Sequence, residues 1–64
     1  MTAAGEFRYY IVQHEGDAWI YEIQDTVRGR RVRDGEGYTA RFLTEAGARA
    51  AVPADETDPG LAWG

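Results

Sequence analysis

The stretch DGEGYTARFLTEAGARAAV, residues 34–52, decides the fold, because it joins a glycine-containing turn to the only helix-forming segment of the chain. Thr39 and Thr44 can each cap a helix, since a threonine oxygen accepts a backbone N–H that the first turn leaves unpaired. A helix from Thr44 would have only two turns. A helix from Thr39 would cover residues 40–51 and gather a better apolar stripe at i, i+3, i+4 and i+7 spacing, formed by Leu43, Ala46, Gly47 and Ala50. We therefore predict the longer helix, which Pro53 stops in either case.

The glycines before this helix allow two interpretations. Phosphate-binding loops use glycines to direct backbone N–H groups at an anion beside a helix N-terminus. Here Glu36 stands between Gly35 and Gly37 and would repel an anion, and the chain contains no lysine. The sequence favours a structural corner, in which Tyr38 packs and Thr39 caps the helix. Gly47 would then allow close packing of the helix against a sheet.

Strand signals precede this corner. Residues 7–13 (FRYYIVQ) and 18–25 (AWIYEIQD) are rich in aromatic and β-branched residues, and the turn residues HEGD separate them, so they predict an antiparallel hairpin. Residues 30–33 predict a short third strand after a turn at Gly29. The predicted fold is α+β: a three-stranded antiparallel sheet packed by one C-terminal helix, with a further short strand possible at residues 60–64.

The two predicted faces of the sheet are both partly apolar. Side chains alternate across a strand, so the stronger sets, which we expect under the helix, are Phe7, Tyr9, Ile11, Trp19, Tyr21 and Ile23. This leaves Tyr10, Val12 and Ile20 on the open face. Such residues are either a solvated surface, which is normal, or the contact of a second subunit.

The size of the chain favours a partner. Domains of 64 residues bury only about 60 % of the surface that the unfolded chain exposes, and they usually need a disulfide, a metal or oligomerisation. The chain has no cysteine, and its only histidine is His14, so we expect no disulfide, no metal and no cofactor. Serine and lysine nucleophiles are also absent, which argues against an enzyme.

The basic residues are all arginines and concentrate in one segment. Arginines beside exposed aromatic side chains can hold single-stranded nucleic acid, and this is the alternative function we consider. A net charge of −4 disfavours it, and the arginines could instead pair with Glu15, Asp17, Glu22 and Asp25. The members of this cluster are Arg28, Arg30, Arg31 and Arg33.

The two ends of the chain differ from the predicted domain at residues 6–52. Residues 1–5 are small and expected to be disordered, and they lack the features of a secretory signal. Residues 53–64 form an acidic tail with two prolines. With no apolar run of about 20 residues, we expect a cytoplasmic protein that is not bound to a membrane.

The order of these features resembles the YegP-like family of small proteins of unknown function. The matching residues are Phe7, Trp19, Gly29, the EGYT of residues 36–39, and Gly47. The resemblance covers residues 7–52 and implies a β3–α–β repeat that pairs as a homodimer with exchanged C-terminal strands. It implies no catalytic residues. The arginine-rich segment at residues 26–33 and the two prolines of the tail depart from the family pattern.

Together these features predict a small non-catalytic domain that acts as a homodimeric interaction or structural module. No small-molecule ligand is evident. The candidate contact residues are Tyr10, Val12, Ile20, Arg28, Arg30, Arg31, Arg33, Leu61 and Trp63. The residues to which we assign a structural role are Gly35, Gly37, Tyr38, Thr39 and Gly47.

Overall fold

The computed structural model describes residues 7–63, so the prediction of disorder for residues 1–5 lies outside the described part. The chain forms β1 (Tyr9–Gln13), β2 (Tyr21–Asp25), β3 (Arg30–Arg31), α1 (Glu45–Ala50), a 3-10 turn (Ala54–Glu56) and β4 (Thr57–Trp63). The class is α+β, as predicted.

The sheet is four-stranded and mixed, with the order β3-β2-β1-β4, rather than three-stranded and antiparallel. β1 and β2 form the predicted antiparallel hairpin, in which Ile11 lies opposite Ile23. β4 pairs with β1 of its own chain in parallel and places Leu61 opposite Ile11. The segment that we interpreted as a tail therefore contributes a complete strand that begins at Thr57, earlier than the possible strand at residues 60–64.

The glycine-containing segment forms a hairpin turn, and the predicted strand-to-helix corner is wrong. Arg33 pairs with Thr39 as an antiparallel bridge, and the Ala40 N–H donates to the carbonyl of Val32 at 3.0 Å. Residues 33–39 thus leave the edge of the sheet and return to it. Tyr38, expected to pack at the corner, is 71 % exposed.

The helix begins later than predicted, with Thr44 as its N-cap instead of Thr39. The Oγ1 of Thr44 accepts the N–H of Gly47 at 3.0 Å. Phe42 cannot join the helix, because its backbone N–H and carbonyl both pair with Tyr21, at 2.9 and 2.8 Å. Ala40 and Phe42, two residues of the predicted helix, therefore pair with the sheet instead.

The shorter helix also turns a different side to the core. Ala48 is its one buried residue, whereas the predicted stripe of Leu43, Ala46, Gly47 and Ala50 is exposed. Gly47 therefore does not serve close packing against the sheet. A Cβ at this position would instead lie 3.0 Å from the Oγ1 of Thr44, the atom that caps the helix.

The core lies between α1 and the face of the sheet that alternation predicted. Ile11, Ile23 and Ala48 are fully buried, and partly buried side chains surround them: Tyr9, Tyr21, Val32, Phe42 and Val52. Burying an isoleucine contributes roughly 1.5–3 kcal/mol, so two such residues give a small core. Trp19, which we expected under the helix, is 78 % exposed because it lies in the turn that precedes β2.

Candidate interaction surface

Glu22 lies at the centre of an ion-pair cluster on the face of the sheet opposite the helix. Only 6 % of the residue is exposed, and its carboxylate lies between two arginines. Arg31 Nε donates to Oε1 at 3.0 Å, and Arg41 Nε donates to Oε2 at 3.2 Å. Arg31 also donates through Nη1 to the side-chain oxygen of Gln24. A buried carboxylate requires such partners, because leaving it unpaired away from water is costly.

The predicted open face is therefore less apolar and less exposed than we expected. Val12 lies opposite Glu22 in the β1–β2 ladder and is only 4 % exposed, so it does not belong to an exposed apolar patch. Tyr10 and Ile20 are half-buried. The Tyr10 hydroxyl oxygen also accepts a hydrogen bond from the Phe7 N–H at 3.4 Å. The arginines on Glu22 occupy the face that we had considered for a second subunit.

Asp25, at the end of β2, gathers a second set of donors and is 3 % exposed. Arg8 donates to both carboxylate oxygens, from Nε at 3.3 Å and from Nη2 at 3.2 Å. The N–H groups of Val27 and Arg28 donate to Oδ1 at 2.9 and 3.1 Å, and the Arg28 Nε lies 3.9 Å from Oδ2. The carboxylate therefore organises the turn that leads to β3.

These contacts set the ionisation of Asp25. Burial alone would raise its pKa, since it penalises the charged form. The hydrogen bond from Arg8 and those from the backbone of Arg28 and Val27 favour the charged form and outweigh burial. The pKa of Asp25 consequently lies below its ordinary value.

The predicted arginine cluster is thus divided between two roles. Arg28 and Arg31 pair with Asp25 and Glu22, two of the carboxylates that the sequence offered as partners. Arg30 and Arg33 are exposed and form no ion pair with another residue of the described range 7–63. Because Arg28 and Arg31 share these two carboxylates with Arg8 and Arg41, the charge of the cluster is only partly neutralised within the chain.

Four of the six large exposed apolar side chains within residues 7–63 lie in or beside one end of the sheet. Trp63 lies opposite Gln13, which lies opposite Tyr21, which in turn pairs with Phe42, so these four residues form one row. Neighbouring strands are about 4.8 Å apart, and the row therefore spans about 14 Å. Leu43 directly follows this row, at 79 % exposure.

Two further apolar residues belong to the same region. Trp19 precedes Tyr21 by two residues, in the β1–β2 turn, and Leu61 lies two residues before Trp63 on β4. Leu61 and Trp63 are 39 % and 67 % exposed. We call this region the apolar end and define it by Trp19, Leu43, Leu61 and Trp63. Of these, only Leu61 and Trp63 were candidate contact residues.

Sequence reasoning missed Trp19 and Leu43 because it placed each in a regular element that faces the core. It also missed the carboxylate partners Arg8 and Arg41 and the helix residue Arg49, because these lie outside the arginine cluster in the sequence. The alternation that placed Glu22 on the face opposite Ile23 offered one available signal: a carboxylate in mid-strand needs a cation on the same face.

Comparison of the chain with protein-family models, curated proteins and solved structures finds no match. Within residues 7–63, no three side chains of the metal-ligating types stand close enough to hold an ion, and the surface of this part has no pocket. No helix among these residues is long and apolar enough to cross a membrane. The apolar end and the two arginine–carboxylate clusters are therefore the features on which a functional argument can rest.

Proposed function

We propose that this chain is a small non-catalytic interaction module that pairs as a homodimer through its apolar end. The observation that carries the proposal is that Trp19, Leu43 and Trp63, each at least two-thirds exposed, lie in or beside the row of residues at one end of the four-stranded sheet. The resemblance to the YegP-like family also implies a homodimer, but one that exchanges C-terminal strands, whereas β4 here pairs with β1 of its own chain. The buried carboxylates of β2 support a non-catalytic role, because arginines and backbone amides already occupy them.

A second copy is the partner that this chain needs. Its two fully buried isoleucines form a small core, and small domains commonly gain stability by association. In a twofold dimer the same patch meets itself, so an apolar surface is its own complement. The two tryptophans alone offer on the order of 300 Å² of exposed surface. We therefore expect an interface at the small end of the range, whose formation depends on concentration.

The test is the mass in solution measured by sedimentation across a concentration series, with Trp63→Asp as the disrupting variant. Val27→Asp is the matched control, because Val27 is 71 % exposed in the turn at the opposite end of the sheet. The wild type and Val27→Asp should move from 7.1 kDa towards twice that mass as concentration rises. Trp63→Asp should stay at 7.1 kDa, because a carboxylate cannot be buried unpaired in an apolar contact.

Two results would overturn the proposal. One is a wild-type mass of 7.1 kDa at every concentration. The other is equal weakening by Val27→Asp and Trp63→Asp, which would point to net charge rather than to the apolar end as the cause.

Nucleic-acid binding is the second candidate, and one observation favours it. Arg30 and Arg33 form no ion pair within residues 7–63. Tyr38, which belongs to the hairpin turn that begins at Arg33, is exposed as well. The net charge of −4 and the pairing of Arg28 and Arg31 with carboxylates weigh against it. Salt-dependent binding of a single-stranded oligonucleotide that is lost when Arg30 and Arg33 are both changed to Glu would favour this function. No binding at low salt would exclude it.

A further inference from the structure

The second half of β4 reaches its place in the sheet through an irregularity. Tyr9 lies opposite Thr57, and Ile11 lies opposite Leu61. Two steps along β1 thus correspond to four steps along β4, so residues 58–60 bulge out of the ladder. A bulge of this kind leaves backbone groups without partners in the neighbouring strand. Something else must bind those groups for Leu61 to hold its position opposite Ile11.

Arg49 in the last turn of α1 binds this bulge. Its Nη1 donates to the carbonyl of Asp58 at 2.8 Å, and its Nη2 donates to the carbonyls of Pro59 and Gly60, each at 2.9 Å. Its Nε donates to Glu45 Oε2 at 2.8 Å, one helical turn back. One guanidinium group therefore connects the helix to three consecutive carbonyl groups of β4.

The geometry of these bonds requires an arginine. A guanidinium group presents five N–H donors in a rigid plane, so it can span three carbonyls and still bond to a carboxylate. A lysine would keep the charge and the ion pair with Glu45, but its single nitrogen cannot reach the same set of acceptors. The bulge has one internal support of its own, since the Gly60 N–H donates to Asp58 Oδ1 at 2.6 Å.

We infer that Arg49 is a positioning residue: through the bulge at residues 58–60 it fixes where Leu61 and Trp63 stand and so presents them at the apolar end. The consequence for association rests on the proposed function, whereas the local consequence for β4 does not. In this view α1, a helix of six residues that buries one alanine, serves chiefly to carry the arginine that holds the edge strand.

The test compares Arg49→Lys with Arg30→Lys, which changes an exposed arginine that makes no ion pair within residues 7–63. Backbone amide hydrogen exchange is followed by NMR at a concentration low enough that sedimentation finds only monomer. We expect those amides of residues 61–63 that point towards β1 to exchange about tenfold faster in Arg49→Lys, an effect of the size expected for one lost charge-assisted hydrogen bond. The amide of Val32, which donates to the carbonyl of Ile23, reports on the core and should not change.

Three results would overturn the inference. In the first, Arg49→Lys exchanges like the wild type, which would show that charge alone suffices. In the second, residues 61–63 and Val32 accelerate equally, which would indicate global unfolding. In the third, the amides of residues 61–63 exchange faster, but the wild-type dimer and the Arg49→Lys dimer dissociate at the same concentration. This would show that Arg49 does not influence the interface. The exchange measurement uses monomer, so failure of the homodimer proposal leaves it valid.

Discussion

The turns after Asp25 and Asp34 are built by the same local chemistry but differ in their surroundings. In the first turn the Oδ1 of Asp25 accepts the N–H of Val27, two residues on, at 2.9 Å, and that of Arg28 at 3.1 Å. The turn closes through Gly29, whose φ of 69° is in the left-handed region and whose N–H donates to the Asp25 carbonyl at 2.9 Å.

The second turn repeats this pattern. The Oδ1 of Asp34 accepts the N–H of Glu36, again two residues on, at 2.8 Å, and that of Tyr38 at 3.1 Å. Gly37 has a φ of 89°, and its N–H donates to the Asp34 carbonyl at 3.2 Å. Aspartate favours turns for this reason: its side chain imitates the backbone partner that the chain lacks there.

What separates the two turns is burial. Asp25 is 3 % exposed and receives Arg8 in addition to the two amides, whereas Asp34 is exposed and water can replace its bonds. An acceptor that is lost from a buried site leaves its donors without partners, and this costs more than the bond itself. The comparison teaches that an aspartate turn specifies conformation locally, while its contribution to stability comes from the layer that covers it.

The largest expected effect is therefore a difference between Asp25→Ala and Asp34→Ala. We expect Asp25→Ala to lower the free energy of unfolding by about 3 kcal/mol, since it leaves two backbone N–H groups and a half-buried arginine unpaired. Asp34→Ala removes the same local bonds at the surface and should cost about 1 kcal/mol. Urea denaturation followed by tryptophan fluorescence measures both. Equal losses would show that the local turn, and not its burial, accounts for the stability.

The stability that Asp25 contributes should also depend on pH. The pKa of Asp25 is lower in the folded chain than its ordinary value of 3.8, so folding favours the ionised form. Its contribution is fully present above the pH of that ordinary value and is lost as the pH falls through the lower, folded-state pKa. We expect the free energy of unfolding to decline with acid over this range, and Asp25→Asn to remove part of that decline. If Asp25→Asn leaves the pH profile unchanged, the carboxylate is not the group that titrates.

The sequence predicted the first turn better than the second, for a physical reason. The β1–β2 hairpin and the turn at Gly29 depend on neighbouring residues, and alternation placed Ile11 and Ile23 on the face that the structure buries. After Asp34 the local signals support either a hairpin turn or a helix corner. The pairing of Phe42 with Tyr21, twenty-one positions earlier, decides between them. No local rule contains that information.

The candidate surface was likewise predicted only in part. The sequence offered four carboxylates as partners of the arginine cluster, and two of them, Glu22 and Asp25, pair with it. It missed Arg41, since that residue was assigned to the helix, and it placed Val12 on an open face that Arg41 and Arg31 occupy around Glu22. Leu61 and Trp63 were candidates because a short strand was possible at residues 60–64. Their position on a parallel strand depends on a bulge that nothing in the tail signals.

The smallest predicted effects come from glycine substitutions, which change the backbone conformation of a turn and leave its aspartate in place. Gly29→Ala and Gly37→Ala should each cost about 1 kcal/mol, because alanine in the left-handed region brings its Cβ close to the carbonyl oxygen. Gly35 lacks a positive φ, and a Cβ there would meet nothing within 4 Å, so Gly35→Ala is the matched control. It should raise stability by about 0.5 kcal/mol, since alanine has fewer unfolded conformations to lose than glycine. Thermal unfolding of the three variants measures these differences. Beyond its own residue and the two neighbours in the chain, a Cβ at Gly29 or Gly37 meets no atom within 4 Å, so crowding against the rest of the fold cannot account for a loss at either site. If Gly29→Ala and Gly37→Ala cost the same although Asp25 is buried and Asp34 is exposed, the cost comes from the left-handed backbone of each turn, and burial acts through the aspartates alone.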